Sequence, residues 1–167
     1  REPRLVVYGR YNLVGSLTAA GRYSEAAQLL PEVRELFLRF AKPLDVIRLR
    51  WVEGNIALGL GNFDLAGVAF REVQQEFFDH HMGYDAALVS LDLAILYANE
   101  GRTQELKRLA AEIMPIFESR DVHREAIAAL VMFQHAAEEE RLTVQLAENL
   151  AASLRRERQI PVKPASR

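Results

Sequence analysis

Apolar residues recur along most of this chain at alternating spacings of three and four, with polar residues between them. Leu65, Ala66, Ala69, Phe70, Val73 and Phe77 hold that spacing, which puts them on one stripe of an α-helix. Val46, Leu49, Val52 and Ile56 form a second stripe just upstream, and Gly59-Leu60-Gly61 separates the two. A glycine just past a helix adopts the left-handed conformation that closes the last turn without a Cβ penalty. Asn62 and Asp64 are placed to cap the helix that follows. Read in this way, the chain predicts eight helices, at about 4–20, 23–40, 44–59, 63–80, 84–100, 103–119, 122–140 and 142–158. Pro31 and Pro115 fall inside two of them and should bend those helices. Ala41-Lys42-Pro43, His80-His81-Met82-Gly83 and Ser119-Arg120-Asp121 read as turns, with Asp121 capping the seventh helix.

The stripes repeat. A shift of about 40 residues aligns Gly21, Gly61 and Gly101, with Arg141 as the fourth member. Phe37, Phe77 and Phe117 fall in one column, and Val33, Val73 and Ile113 in another. Leu17, Ala57, Tyr97 and Ala137 align upstream of the glycines, and Tyr23 and Phe63 downstream. Agreement of many columns at one shift is the mark of a repeat architecture, in which each unit buries its apolar face against its neighbours. The fourth copy has lost its Gly and its Phe, as an end unit does when one side has no neighbour.

These columns resemble the tetratricopeptide repeat. The family pattern of a small residue in the first helix, then Gly-x-Tyr/Phe-x-x-Ala at the turn, appears as Gly54, then Gly61-Asn62-Phe63-Asp64-Leu65-Ala66, then Phe70. Gly21-Arg22-Tyr23-Ser24-Glu25-Ala26 repeats it. The third unit keeps Gly101 and Tyr97 but has Leu106 where Ala is usual. The usual family period is about 34 residues; six more add roughly 9 Å of helix. Long units of this kind are similar to those of bacterial signalling regulators. The resemblance implies an all-α, right-handed helical-repeat solenoid of four helix-turn-helix units, at about 4–40, 44–81, 84–120 and 122–158. Residues 159–167, with two Pro, are expected to form a flexible basic tail.

In that family the first helices of stacked units line a concave groove. The register then points Tyr8, Tyr11 and Asn12 of the first unit, and Arg48, Trp51 and Asn55 of the second, into the groove. Leu88, Leu91, Asp92 and Ile95 follow from the third, and Val131, Met132 and His135 from the fourth. Aromatic rings supply contact area at low entropic cost, and Arg and Asn fix a peptide backbone or carboxylate. The alternative for Trp51 and the tyrosines is packing between helices. The carboxylate-clamp form of the family uses paired Lys and Asn on adjacent first helices, and Lys is nearly absent here.

Composition narrows the chemistry. The 167 residues are 50% hydrophobic and 26% charged, with a net charge of −2 and no Cys. That balance gives no global case for nucleic-acid or membrane binding, and the lack of Cys removes disulfides and thiolate chemistry. No apolar stretch is long enough to cross a bilayer. Asp79, His80 and His81 are the most metal-like group, but adjacent turn residues diverge and a metal needs converging ligands. Glu138, Glu139 and Glu140 fan out around a helix and form no acid/base pair. Arg155, Arg156 and Arg158 suit a helix C-terminus. No phosphate loop, nucleophile elbow or catalytic triad order is present.

The expectation is a non-enzymatic scaffold, without cofactor or metal, that binds a protein or peptide segment, as the sensor or interaction region of a cytoplasmic bacterial regulator. It would contact neither membrane nor nucleic acid and could form a homo-oligomer. The competing readings are a structural oligomerisation module and an accessory region of an enzyme whose catalytic domain lies elsewhere. The chain begins at Arg1 rather than Met and is expected to be cut from something larger.

Overall fold

A computed structural model of the chain describes residues 3–118 and 144–159. Among the described residues there are seven helices and no strand: α1 (Pro3–Ala19), α2 (Tyr23–Phe40), α3 (Pro43–Gly59), α4 (Phe63–Asp79), α5 (Gly83–Asn99), α6 (Thr103–Glu118) and α7 (Val144–Gln159). Their boundaries lie close to those expected from the apolar spacing. The helix expected at 122–140, the Asp121 cap, the Arg141 turn, His123, Val131, Met132, His135, the Glu138–Glu140 run and the tail beyond Gln159 lie outside the described residues.

Three turns share one geometry. Gly21, Gly61 and Gly101 have φ of 72°, 75° and 67°. At the first turn the Gly21 N–H donates to the Thr18 carbonyl at 3.0 Å and Arg22 N–H to Leu17 at 2.9 Å. Gly61 and Asn62 repeat this on Leu58 and Ala57, and Gly101 and Arg102 on Ala98 and Tyr97. This paired closure satisfies carbonyls that a helix end leaves open. The next helix then starts on backbone alone. Asn62 occupies the position before α4, but its side chain makes no capping bond; its carbonyl accepts from Ala66 N–H at 3.0 Å. The expected side-chain cap is replaced by a turn whose polar groups are already paired. Pro31 and Pro115 sit inside α2 and α6 as expected.

The chain divides into two compact units, Arg1–His81 and Met82–Arg167. In the first, α1 packs on α2, α2 on α3, α1 on α3, and α3 on α4. Val7, Val14 and Leu17 of α1 meet Ala26, Val33 and Phe37 of α2, and Leu49 and Ile56 of α3. From α4 come Ala66, Ala69, Phe70, Val73 and Phe77, all fully buried. Glycines set the spacing. A Cβ on Gly54 would stand 2.6 Å from the Phe70 ring, and one on Gly59 would stand 2.4 Å from the Tyr23 ring. A side chain at either place would force the facing ring to shift, and at Gly54, where Ala69 also stands at 3.2 Å and Phe70 is fully buried, α4 would have to give way as well.

In the second unit α5 is buried at every residue from Asp85 to Leu96. A helix apolar on all sides needs cover on all sides. One side is taken by α6, through Leu106, Leu109, Ala110 and Ile113. Another is taken by α7, which packs directly on α5. An in-order ladder does not make that contact, and the equivalent pair in the first unit, α1 and α4, does not touch.

Candidate functional site

On α3, residues spaced three and four apart share a face because each residue turns the helix by about 100°. Asp45, Arg48, Trp51 and Asn55 fall on one side. Val46, Arg50 and Glu53 fall on the opposite side. The two sides carry different chemistry.

The first side faces α1. Asp45 holds it together: the Tyr8 hydroxyl donates to Asp45 Oδ2 at 2.7 Å, and Arg48 donates to Asp45 Oδ1 at 3.1 Å. One carboxylate therefore joins a phenol of α1 to a guanidinium of α3. Both tyrosine rings rest against Phe37 of α2, Tyr11 at 5.1 Å between centroids and Tyr8 edge-on at 6.0 Å. Burial pushes the Tyr11 hydroxyl above its ordinary pKa; Arg48 pulls the other way and Asp45 adds to the rise. Arg48 remains 39% exposed. One turn further along α3, Trp51 is half-buried and meets Phe77 edge-on at 5.8 Å. Asn55, half-buried, donates from its side-chain amide to the Trp51 carbonyl at 3.2 Å. Asn12 is exposed on α1.

Of the expected groove residues, the structure brings Tyr8, Tyr11 and Arg48 together around Asp45, with Trp51 and Asn55 following on the same helix face. Each of the three rings is half-buried and packs on a core Phe, Tyr8 and Tyr11 on Phe37 and Trp51 on Phe77. Asp92 is a correction. It was expected to offer a charge to a ligand, but it is 1% exposed and its carboxylate is bound by Arg155 of α7. Leu88, Leu91 and Ile95 are buried with it, because α5 is covered where the same face of α1 is open.

The opposite side of α3 was not anticipated. Glu53 is buried and takes Arg34 of α2 at 2.7 Å and Arg50 at 3.1 Å; Arg50 reaches on to Glu72 of α4 at 2.7 Å. Burial works against the Arg50 charge, but hydrogen bonds to Glu72 and Glu53 outweigh it and raise its pKa. Two clefts flank this chain of charges, one of about 310 Å³ lined by Arg34, Leu38 and Glu53 and one of about 480 Å³ lined by Pro43, Ile47 and Val73. Neither cleft is lined by any of the expected site residues. The sequence did hold a signal for Glu53: it interrupts a column whose other members are Leu13, Leu93 and Phe133.

Among the described residues no group of three His, Asp or Glu side chains is arranged to hold a metal ion. His80 turns back onto its own helix, with Nδ1 2.8 Å from the Glu76 carbonyl. No helix among the described residues is long and apolar enough to cross a membrane. No protein-family model matches the chain, and comparison with curated proteins returns no match.

Proposed function

We propose that this chain is a tetratricopeptide-like module, built on four helix-turn-helix units in a right-handed solenoid, that binds a protein or peptide segment as the interaction region of a cytoplasmic bacterial regulator. The reading gives it no catalytic, cofactor or metal role. The observation that supports it most is the face shared by α1 and α3. There Tyr8, Tyr11 and Trp51 present half-buried rings, and Arg48 presents a half-exposed guanidinium, on a rigid pair of helices. Aromatic and arginine anchors held by a packed scaffold are what carry affinity in most interfaces. The Asp45 carboxylate fixes the guanidinium so that little rotamer freedom is lost when a ligand carboxylate or backbone carbonyl arrives.

The test begins with affinity capture from the native host and mapping of the captured segment. That segment is then titrated against the wild-type chain and against Arg48→Ala and Asn55→Ala. Arg48→Ala should weaken binding by more than about 1 kcal/mol, roughly fivefold. It should barely move the melting temperature, because the lost Arg48–Asp45 pair is partly exposed and such pairs contribute about 0–1 kcal/mol. Unchanged affinity in both variants would remove the site from this face.

A further inference from the structure

The pair α1–α2 serves as an internal control for the pair α3–α4. One period back along the chain, Val46, Ile47 and Val73 of the larger cleft become Val6, Val7 and Val33. The ion pair at the cleft edge is kept as well: Arg50 to Glu72 at 2.7 Å matches Arg10 to Glu32 at 3.3 Å. Two lining positions change character. Glu76 and His80 stand where α2 has Leu36 and Phe40. Leu36 is half-buried against the core shared by α1, α2 and α3. Glu76 is instead 55% exposed at a cleft of about 480 Å³. One period on, the same column holds Ile116, so an acidic residue here breaks an apolar column.

The other charges on this side of α3 are matched. Glu53 and Glu72 hold Arg50 between them, and Glu53 also takes Arg34. Among the described residues Glu76 makes no ion pair with a guanidinium; its cationic neighbour is His80, at 3.9 Å. The His80 Nδ1 lies 2.8 Å from the Glu76 carbonyl. A carbonyl only accepts, so Nδ1 carries the hydrogen and Nε2 of the neutral ring is an acceptor. The lining therefore combines an apolar floor with two acceptors, and the guanidinium of Arg50 is already engaged. Its complement is a cation rich in donors on an apolar stem. We infer that this cleft receives an arginine side chain of a protein or peptide partner. The methylenes lie along Val46, Ile47 and Val73, and the guanidinium donates to the Glu76 carboxylate. A planar fork matches a carboxylate through two parallel N–H bonds, and the stem covers apolar surface while the head stays at the rim. The inference goes beyond the partner-binding reading, because this cleft lies on the side of α3 opposite Arg48 and Asn55.

The experiment follows the backbone amides of the isotope-labelled full chain by NMR while a capped Ala-Ala-Arg-Ala-Ala peptide is added. Saturable shifts should centre on Ile47, Val73 and Glu76. The same peptide with citrulline for arginine keeps the shape and loses the charge, and should bind weaker by roughly threefold or more. Methylguanidinium has the head without the stem, and should also bind weaker by roughly threefold or more. Glu76→Gln should weaken the arginine peptide to a similar extent. Glu76→Leu combined with His80→Phe restores the residues of α2 and should abolish the saturable shifts. Shifts that do not saturate around the cleft, equal affinity for the citrulline peptide, or undiminished binding to either variant overturns the inference. Methylguanidinium binding as tightly as the peptide would mark a bare cation site and overturn the arginine occupant. If the double variant does not fold, Glu76→Gln decides. The Arg48 and Asn55 titrations read the other side of α3 with a captured partner, so the two ideas fail separately.

Discussion

His81 has a φ of 57° and is the sole non-glycine residue with a positive φ among the described residues. It closes α4, with its N–H donating to the Phe78 carbonyl at 2.9 Å, as Gly21, Gly61 and Gly101 close their helices. A Cβ in that conformation costs about 1–2 kcal/mol. Glycine removes that cost but adds about 0.4–1 kcal/mol of unfolded-state entropy. His81→Gly should therefore raise stability by roughly 0.5–1 kcal/mol, seen as a higher urea midpoint at unchanged slope. A lower midpoint would show that the imidazole makes a contribution the turn geometry does not reveal. The three glycine turns were legible because their requirement is conformational and local. Asp45 was not: its role depends on Tyr8 of another helix, and no spacing along the chain announces that meeting.

Between helices, Phe77 carries the most testable burden. It is fully buried on α4 and meets the Trp51 edge of α3. Phe37, one period earlier, is buried in the same way and receives both tyrosines of α1. The side chain of Phe117, the third member of the column, lies outside the described residues. Phe77→Ala should cost about 3–5 kcal/mol by the usual price of emptying an aromatic core position. A loss below about 1 kcal/mol in denaturant unfolding would mean that the repeat register misplaces this residue. The apolar columns anticipated this packing, since a stripe at helical spacing has to be buried against something. They did not anticipate the charged ladder from Arg34 through Glu53 and Arg50 to Glu72, which binds α2, α3 and α4 on the opposite side. Charged residues on a helix read as solvated until the neighbouring helices are in place.

At the scale of the molecule, residues 1–81 form one compact unit, in which α1, α2 and α3 share a core and α4 packs on α3. They should fold without the rest of the chain because they form a compact unit of their own, but at markedly reduced stability, because two helix pairs fall short of the three repeats such architectures need. A purified fragment 1–81 is expected to show a helical circular dichroism spectrum and a cooperative melt below that of the full chain. A random-coil spectrum would show that its core is incomplete. Its end helix keeps Leu5, Val6 and Leu13 exposed, so the measurement belongs at low concentration with the mass checked by light scattering.

Sequence alone determined the helices, their turns and the columns that pair them, because these depend on residues a few positions apart: apolar spacing, a glycine able to adopt positive φ, the position of each Phe. It also placed Tyr8, Tyr11, Arg48, Trp51 and Asn55 on corresponding turns of two first helices, since a shared register needs nothing beyond the repeat. Tertiary structure decided which of those turns stayed open. Asp92 holds the same register position as Asn12, yet one is exposed and the other buried under Arg155. The difference lies in α5, whose residues from Asp85 to Leu96 are apolar enough on every side to draw α7 onto them. Which distant helix supplies that cover is a competition among all the exposed apolar faces in the molecule, and a one-dimensional pattern does not record its outcome.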